Sequence, residues 1–235
     1  MFIEFIMGKR GVFTFYMEYG GLEKNAYVFI SIASKLFDCM RKLQENSGGC
    51  TVWFTGLPSS GKSTLAQLLH QELAILGILA EVLDGDEIRQ RLTKELGFSK
   101  KFRVENILRL TYVAKLLSRN GVIAITAAIS PYQEMRKQAR IELGQFVEVY
   151  VKCPLMTCMA RDVKGLYAKA VRGEVSNFTG ITDPYEAPLN PDVVLETDRR
   201  SPEECVTILM EKLANLNYIS PSTVSHLKKC ALPIG

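Results

Sequence analysis

Residues Gly56-Leu57-Pro58-Ser59-Ser60-Gly61-Lys62-Ser63-Thr64 match G-x-x-x-x-G-K-[ST] without a gap, and few folds accommodate that pattern. The glycines let the backbone curl until successive N–H groups point inward at an anion, and a helix starting behind the loop adds its positive end. Lys62 reaches toward β- and γ-phosphates, and the Ser63 hydroxyl is placed to ligate Mg²⁺. In a chain of 235 residues, chance produces this pattern on the order of one time in a hundred. Thr51-Val52-Trp53-Phe54-Thr55 before the loop reads as a buried strand, and Leu65-Ala66-Gln67-Leu68-Leu69 after it as a helix. Such a chain binds a nucleoside triphosphate through Gly56–Thr64.

Beyond Gly49 the sequence alternates between two periods. Apolar β-type runs fall at Thr51–Thr55, Leu79–Leu83, Val122–Ala127, Phe146–Val151 and Val193–Glu196. Near-continuous hydrophobicity suits parallel strands covered on both faces. Between them, Ile107, Leu110, Ala114 and Leu117 form one helical stripe, and Cys205, Ile208, Leu209, Leu213 and Leu216 another. The second helix opens at Ser201-Pro202 with Glu203 and Glu204 in its first turn. The expectation is an α/β fold of the P-loop NTPase type, a five-stranded parallel sheet between helix layers. Its ligands bind at the carboxyl ends of the strands.

The residues after each strand are therefore the candidates for chemistry. Strand two is followed by Asp84-Gly85-Asp86, with Arg89 a turn further on. Carboxylates facing a P-loop can hold Mg²⁺ through water or take a proton from an attacking hydroxyl, and either aspartate can also cap the helix beginning near Glu87. Strand three is followed by Ile129-Ser130-Pro131-Tyr132, where Ser130 either caps the next helix or contacts substrate. Between strands four and five lies a polar stretch from Arg161 to Glu186 with few apolar anchors, which reads as a lid or as an ordinary surface excursion.

A net charge of +4 suits a site for polyanionic small molecules, and no basic run interleaved with aromatics points to nucleic acid. Six cysteines without a zinc spacing read as free thiols of a cytoplasmic protein. The apolar run Ala26–Ser34 is far short of the roughly 20 residues a membrane span needs. Glu4, Glu18 and Glu23 weigh against a transit peptide. The expected organisation is an N-terminal extension over 1–48, helical in character, a P-loop domain over 49–219, and a tail over 220–235.

Several segments together carry a resemblance. They are Gly56–Thr64, Leu83-Asp84-Gly85-Asp86, Leu96-Gly97-Phe98-Ser99 with Arg103 and Glu105-Asn106, Ile129–Tyr132, Arg161-Asp162-Val163-Lys164-Gly165-Leu166-Tyr167, Asn177-Phe178-Thr179-Gly180 and Asp183-Pro184-Tyr185-Glu186. In these the chain resembles adenylylsulfate kinase (APS kinase) over about Gly49 to Ile219. The resemblance implies transfer of the ATP γ-phosphoryl group to the 3′-hydroxyl of adenosine 5′-phosphosulfate, with Mg²⁺, in sulfate assimilation. It implies that Phe98 and Phe178 stack on the acceptor's adenine, and that Arg89, Arg103 and Asn106 hold its phosphosulfate. Ile129, Ser130 and Lys164 become further acceptor contacts, with Asp86 among the acceptor-binding and catalytic groups. Lys62 and Ser130 also match catalytic positions, direct in-line transfer being simpler than a phosphoserine route. Arg161 and Cys205 match positions near the ATP adenine. A homodimer and a functional link to ATP sulfurylase also follow from the resemblance.

The chain departs from the family pattern at two nearby positions. Phe102 stands where Asp is usual and Leu108 where Arg is common, which suggests a lost ion pair and puts the orientation of Arg103 in question. The competing acceptors are those of other small-molecule P-loop kinases, nucleoside monophosphate or shikimate-type. A GTPase would need an N-K-x-D-type guanine reader, and the sequence has none.

Overall fold

The computed structural model describes residues 4–7, 13–16 and 48–221. The chain divides into two compact units, Met1–Glu45 and Asn46–Gly235. In the first, β1 (Glu4–Met7) pairs antiparallel with β2 (Phe13–Tyr16), Glu4 opposite Tyr16 and Met7 opposite Phe13. The expectation of a helical extension is corrected there. Phe5-Ile6-Met7 and Phe13-Thr14-Phe15-Tyr16 are rich in β-branched and aromatic residues, and two glycines stand in the short connection, which is a hairpin pattern. The apolar run at 26–34 and the tail past 221 lie outside the described residues.

The second unit is a parallel α/β sandwich. In chain order it runs β3 (Thr51–Thr55), α1 (Lys62–Ile75), β4 (Ala80–Asp84), α2 (Gly85–Arg91), α3 (Lys100–Ser118), β5 (Ile123–Ala127) and α4 (Gln133–Leu143). There follow β6 (Phe146–Lys152), α5 (Leu155–Arg161), α6 (Leu166–Val171), β7 (Val193–Glu196) and α7 (Pro202–Asn215). Five parallel strands stand in the order β4-β5-β3-β6-β7. All five residues of β3 and of β5 are buried, whereas edge strand β4 is mostly half-covered. This is why the central strands read as continuous apolar runs.

Each face of the sheet has its own core. Leu65, Leu69 and Leu73 of α1 and Leu209, Met210 and Leu213 of α7 pack with Val52, Phe54 and Ile125. On the other face Ile107, Leu110 and Ala114 of α3 and Met135 and Ala139 of α4 pack with Trp53 and Ala124. The α3 stripe read from sequence is the buried one. Helix α7 is closed at its start by a capping box between Ser201 and Glu204.

The 161–186 segment departs from the polar excursion the sequence suggested. Its Tyr167, Ala170 and Phe178 are buried with Cys153 and Cys158, and Leu57, Leu155 and Ile181 pack around them. Phe178 meets Tyr167 edge-to-face at 5.0 Å. The apolar anchors are spaced irregularly, so neither helical nor strand periodicity revealed them.

Candidate active site

The loop after β3 folds back against β6 before α1 begins. A Cβ on Gly56 would lie 2.5 Å from the Val151 carbonyl oxygen, so only glycine fits there. Gly61, at φ 103°, turns the chain into α1 without a side-chain cap, leaving the first helical N–H groups for an anion. Lys62 is buried and donates to the carbonyls of Gly56 (3.0 Å) and Leu57 (2.7 Å). Burial lowers its pKa to about 8, against the weaker pull of the Asp86 and Asp84 carboxylates.

A cavity of about 750 Å³ opens at the carboxyl edge of the sheet. Pro58, Ser59, Gly61, Lys62, Ser63 and Thr64 form one wall. Asp86, Arg89, Phe98, Arg103, Asn106, Ile129 and Ser130 line another, and Arg161, Lys164 and Phe178 border it from the 161–186 segment. Thus every acceptor-side residue named from sequence faces one space. Gly56, Leu57 and Ser60 do not border it and instead build the loop from behind. Cys205 is corrected: it has no exposed surface and belongs to the α1–α7 core, where burial raises its thiol pKa.

The two aspartates take different parts. Asp84 is the N-cap of α2, accepting from the Asp86 backbone N–H at 2.9 Å, and its other oxygen accepts from the Ser63 hydroxyl at 2.6 Å. Asp86, more exposed, pairs with Lys164. Arg89 lies over the Phe98 ring at 4.6 Å and donates to the Gly97 carbonyl at 3.2 Å. Phe98 leaves more than half its surface open, whereas Phe178 is 8% exposed.

Arg103 holds three protein groups. Its Nε donates to the Phe98 carbonyl at 2.9 Å, Nη1 to the Thr179 hydroxyl at 2.7 Å, and Nη2 to the Asn177 carbonyl. Two of its five N–H bonds remain for a ligand. Asn106 is buried and accepts from Thr93 at 2.6 Å. Arg161 donates to the Thr197 carbonyl at 2.6 Å, and the Thr197 hydroxyl in turn reaches the Ser60 carbonyl at 2.8 Å.

Ser130 does not cap the following helix, whose N-cap is Tyr132. It is buried at φ 39°, a left-handed backbone that costs a serine on the order of 1–3 kcal/mol and persists only when neighbours enforce it. The enforcing groups were missed from sequence. Trp53 Nε1 donates to Ser130 Oγ at 3.0 Å, and Thr55 Oγ1 donates to the Ile129 carbonyl at 2.7 Å. Tyr132 OH reaches both oxygens of Asp183, at 2.8 and 3.0 Å, fastening the acceptor turn to the covering segment. Only Tyr132 and Asp183 carried a signal, since both stand within the motifs already quoted. Trp53 and Thr55 look like any strand residues.

Comparison with known proteins accords with this geometry. A family model described as adenylylsulphate kinase matches residues 48–196. An adenylyl-sulfate kinase of Picosynechococcus sp. is 53% identical over 173 residues, covering 74% of this chain and 98% of that protein. A probable bifunctional SAT/APS kinase of Sorangium cellulosum is 52% identical over 171 residues, 73% of this chain and 29% of that one. The solved structure of the Mycobacterium tuberculosis APS kinase CysC, in complex with AMPPNP and APS, has a TM-score of 0.68 and 46% identity, over 71% of this chain and 98% of that one. The family match spans well over half the chain, including every wall of the cavity but its Thr197–Pro202 edge, and the chain belongs to the adenylylsulphate kinase family.

Proposed function

We infer that this chain is an adenylyl-sulfate kinase, transferring the γ-phosphoryl group of ATP to the 3′-hydroxyl of adenosine 5′-phosphosulfate in sulfate assimilation. The observation that carries the reading is a single cavity with the P-loop on one side and Phe98, Phe178, Arg89 and Arg103 on the other. Phosphoryl transfer requires mainly positioning and charge neutralisation, and the acceptor is a polyanionic adenine nucleotide. Aromatic faces for the adenine and arginine forks for the phosphosulfate answer that chemistry.

In this reading Gly56–Thr64 cradle the ATP phosphates and Arg161 lies toward the adenine. Lys62 stabilises charge on the transferring group. The acceptor's 3′ oxygen attacks the γ-phosphorus, the bond to the β–γ bridging oxygen breaks, ADP leaves, and Asp86 takes the hydroxyl proton. Lys164, paired with Asp86, and Asn106 orient the acceptor with Ile129 and Ser130. Ser130 Oγ is occupied by Trp53 and lies 3.4 Å from the Ala128 carbonyl, which favours an orienting contact over a phosphoserine intermediate.

The Ser63 hydroxyl and the Asp84 carboxylate are adjacent hard oxygen donors beside the P-loop, a set that fits Mg²⁺ shared with phosphates and water. Mg²⁺ held there would neutralise charge on the β- and γ-phosphate oxygens. The buried free thiols of Cys50, Cys153, Cys158 and Cys205 accord with a reducing cytoplasm, which we propose as the compartment. Among the described residues no helix is long and apolar enough to cross a membrane. A homodimer and a functional link to ATP sulfurylase complete the reading, the latter supported by the bifunctional SAT/APS kinase relative.

The test is acceptor choice. ADP release with ATP and adenylyl sulfate should exceed that with shikimate or AMP by at least about a hundredfold, since buried groups shaped for the sulfate stay unpaired with the others. Equal rates with AMP would remove the phosphosulfate from the site.

A further inference from the structure

Arg136 lies outside the cavity lining, almost fully buried on α4, and belongs to none of the groups described above. Its guanidinium points three ways. Nε donates to Glu148 Oε1 at 2.9 Å, Nη1 to the Ser130 carbonyl at 2.6 Å, and Nη2 to the Glu186 carbonyl at 2.6 Å. The ring of Tyr185 lies 5.9 Å from its centre.

The sheet sets the aim of this fork. Glu148 stands on β6, and its second oxygen accepts from Arg140 at 3.4 Å. Arg140 also donates to Asp192 at 2.7 Å, and that same Asp192 oxygen accepts from the Glu148 backbone N–H at 2.8 Å. Arg136 is thus anchored below by a closed set of charges. Above, it holds two backbone carbonyls, of which Ser130 lines the cavity and Glu186 stands behind it. One is the left-handed Ser130, and the other returns from the segment that covers the cavity. The neighbouring Tyr185 and Thr55 hydroxyls lie 3.0 Å apart, and Thr55 Oγ1 donates to the Ile129 carbonyl, so the turn is held from two sides.

We propose that Arg136 is a positioning residue for the acceptor, clamping the Ile129–Ser130 turn to the Tyr185–Glu186 return so that the turn keeps its aim at the acceptor. The assignment rests on the acceptor reading given above. An ammonium cannot replace it, because three divergent donors in one plane require a guanidinium. With Arg136 gone, the Ser130 carbonyl loses its buried donor, and the turn is left to Trp53, Thr55 and the Glu186 N–H on the Pro131 carbonyl. Its aim at the acceptor loosens, while the P-loop wall, built from β3 and α1, stays in place.

The test compares wild type, Arg136→Lys and the double variant Arg136→Gln with Glu148→Gln, which leaves no unpaired charge at the site. Each substrate is varied in turn, ADP binding is read by thermal shift, and emission is read from Trp53, the chain's single tryptophan. The expected result is a KM for adenylyl sulfate raised about tenfold or more in both variants, from loss of a charge-assisted hydrogen bond. KM for ATP should stay within about twofold, ADP binding should be kept, and Trp53 emission should move. An unchanged KM for adenylyl sulfate overturns the proposal. So does a parallel rise in both KM values, or failure of both variants to fold, since Arg136 would then support the whole domain. Wild type inactive on adenylyl sulfate but active on another acceptor would instead overturn the acceptor reading, a result visible before any variant is made.

Discussion

Lys62 is the residue at which burial and function oppose each other most directly. Its folded pKa of about 8 lies below the ordinary 10.5 because burial disfavours the ammonium. Between those values the folded, nucleotide-free protein binds fewer protons than the unfolded chain, so Lys62's contribution to stability rises with pH across about 8 to 10.5. Below about 8 the folded protein carries the full desolvation cost of the cation. Activity runs the other way, since phosphate binding needs the charge. We expect kcat/KM for ATP to fall as pH rises through about 8, while kcat, measured with phosphates holding the proton on, holds to higher pH. A pH–rate profile checks this, and kcat/KM flat to pH 10 would refute it. At this scale the place of the P-loop between β3 and α1 was legible, because its pattern is local in sequence. The split between Asp84 and Asp86 was not. Which of two carboxylates caps a helix and bonds Ser63 depends on how β4 ends against α1, and no local pattern records that.

At the scale of elements, helix α3 corrects one inference from sequence. Phe102 and Leu108 read as a lost ion pair, yet they lie six residues apart on one helix, about 9 Å along its axis and about 120° around it. Side chains so spaced do not face each other. Phe102 lies instead against Gly97, where an added Cβ would come within 3.4 Å of its ring. Introducing Asp at 102 and Arg at 108 should therefore give additive changes in kcat/KM, with coupling below about 0.5 kcal/mol in a double-mutant cycle. Coupling above about 1 kcal/mol would restore the pair. The strands and the α3 and α7 stripes were legible because burial on a repeating period writes itself into sequence. The anchoring of the covering segment was not, because Tyr167 sits on the six-residue helix α6 and Phe178 on irregular backbone beyond it, too little regular structure for a shared period. Ser130 left two readings open, a helix cap or a substrate contact, and only the fold shows Trp53 and Arg136 holding it away from the helix start.

For the whole molecule, the proposed boundary lies between the N-terminal extension and the P-loop domain. The compact units part between Glu45 and Asn46, while Gly49 and Cys50 are already buried at the start of the sheet. A chain beginning at Asn46 should keep kcat/KM for adenylyl sulfate within about threefold and its Tm within a few degrees, roughly the shift that 1 kcal/mol produces. Insolubility or loss of activity would make the extension part of the domain. The central claim is that this cavity phosphorylates one hydroxyl of one nucleotide, and product identity tests it most directly. Incubation with ATP and adenylyl sulfate should yield ADP and a single new nucleotide, with the added phosphate placed at the 3′ position by phosphorus–proton NMR correlation, and no product from Lys62→Ala. A phosphate elsewhere on the ribose, or product formed equally well by Lys62→Ala, would contradict the account.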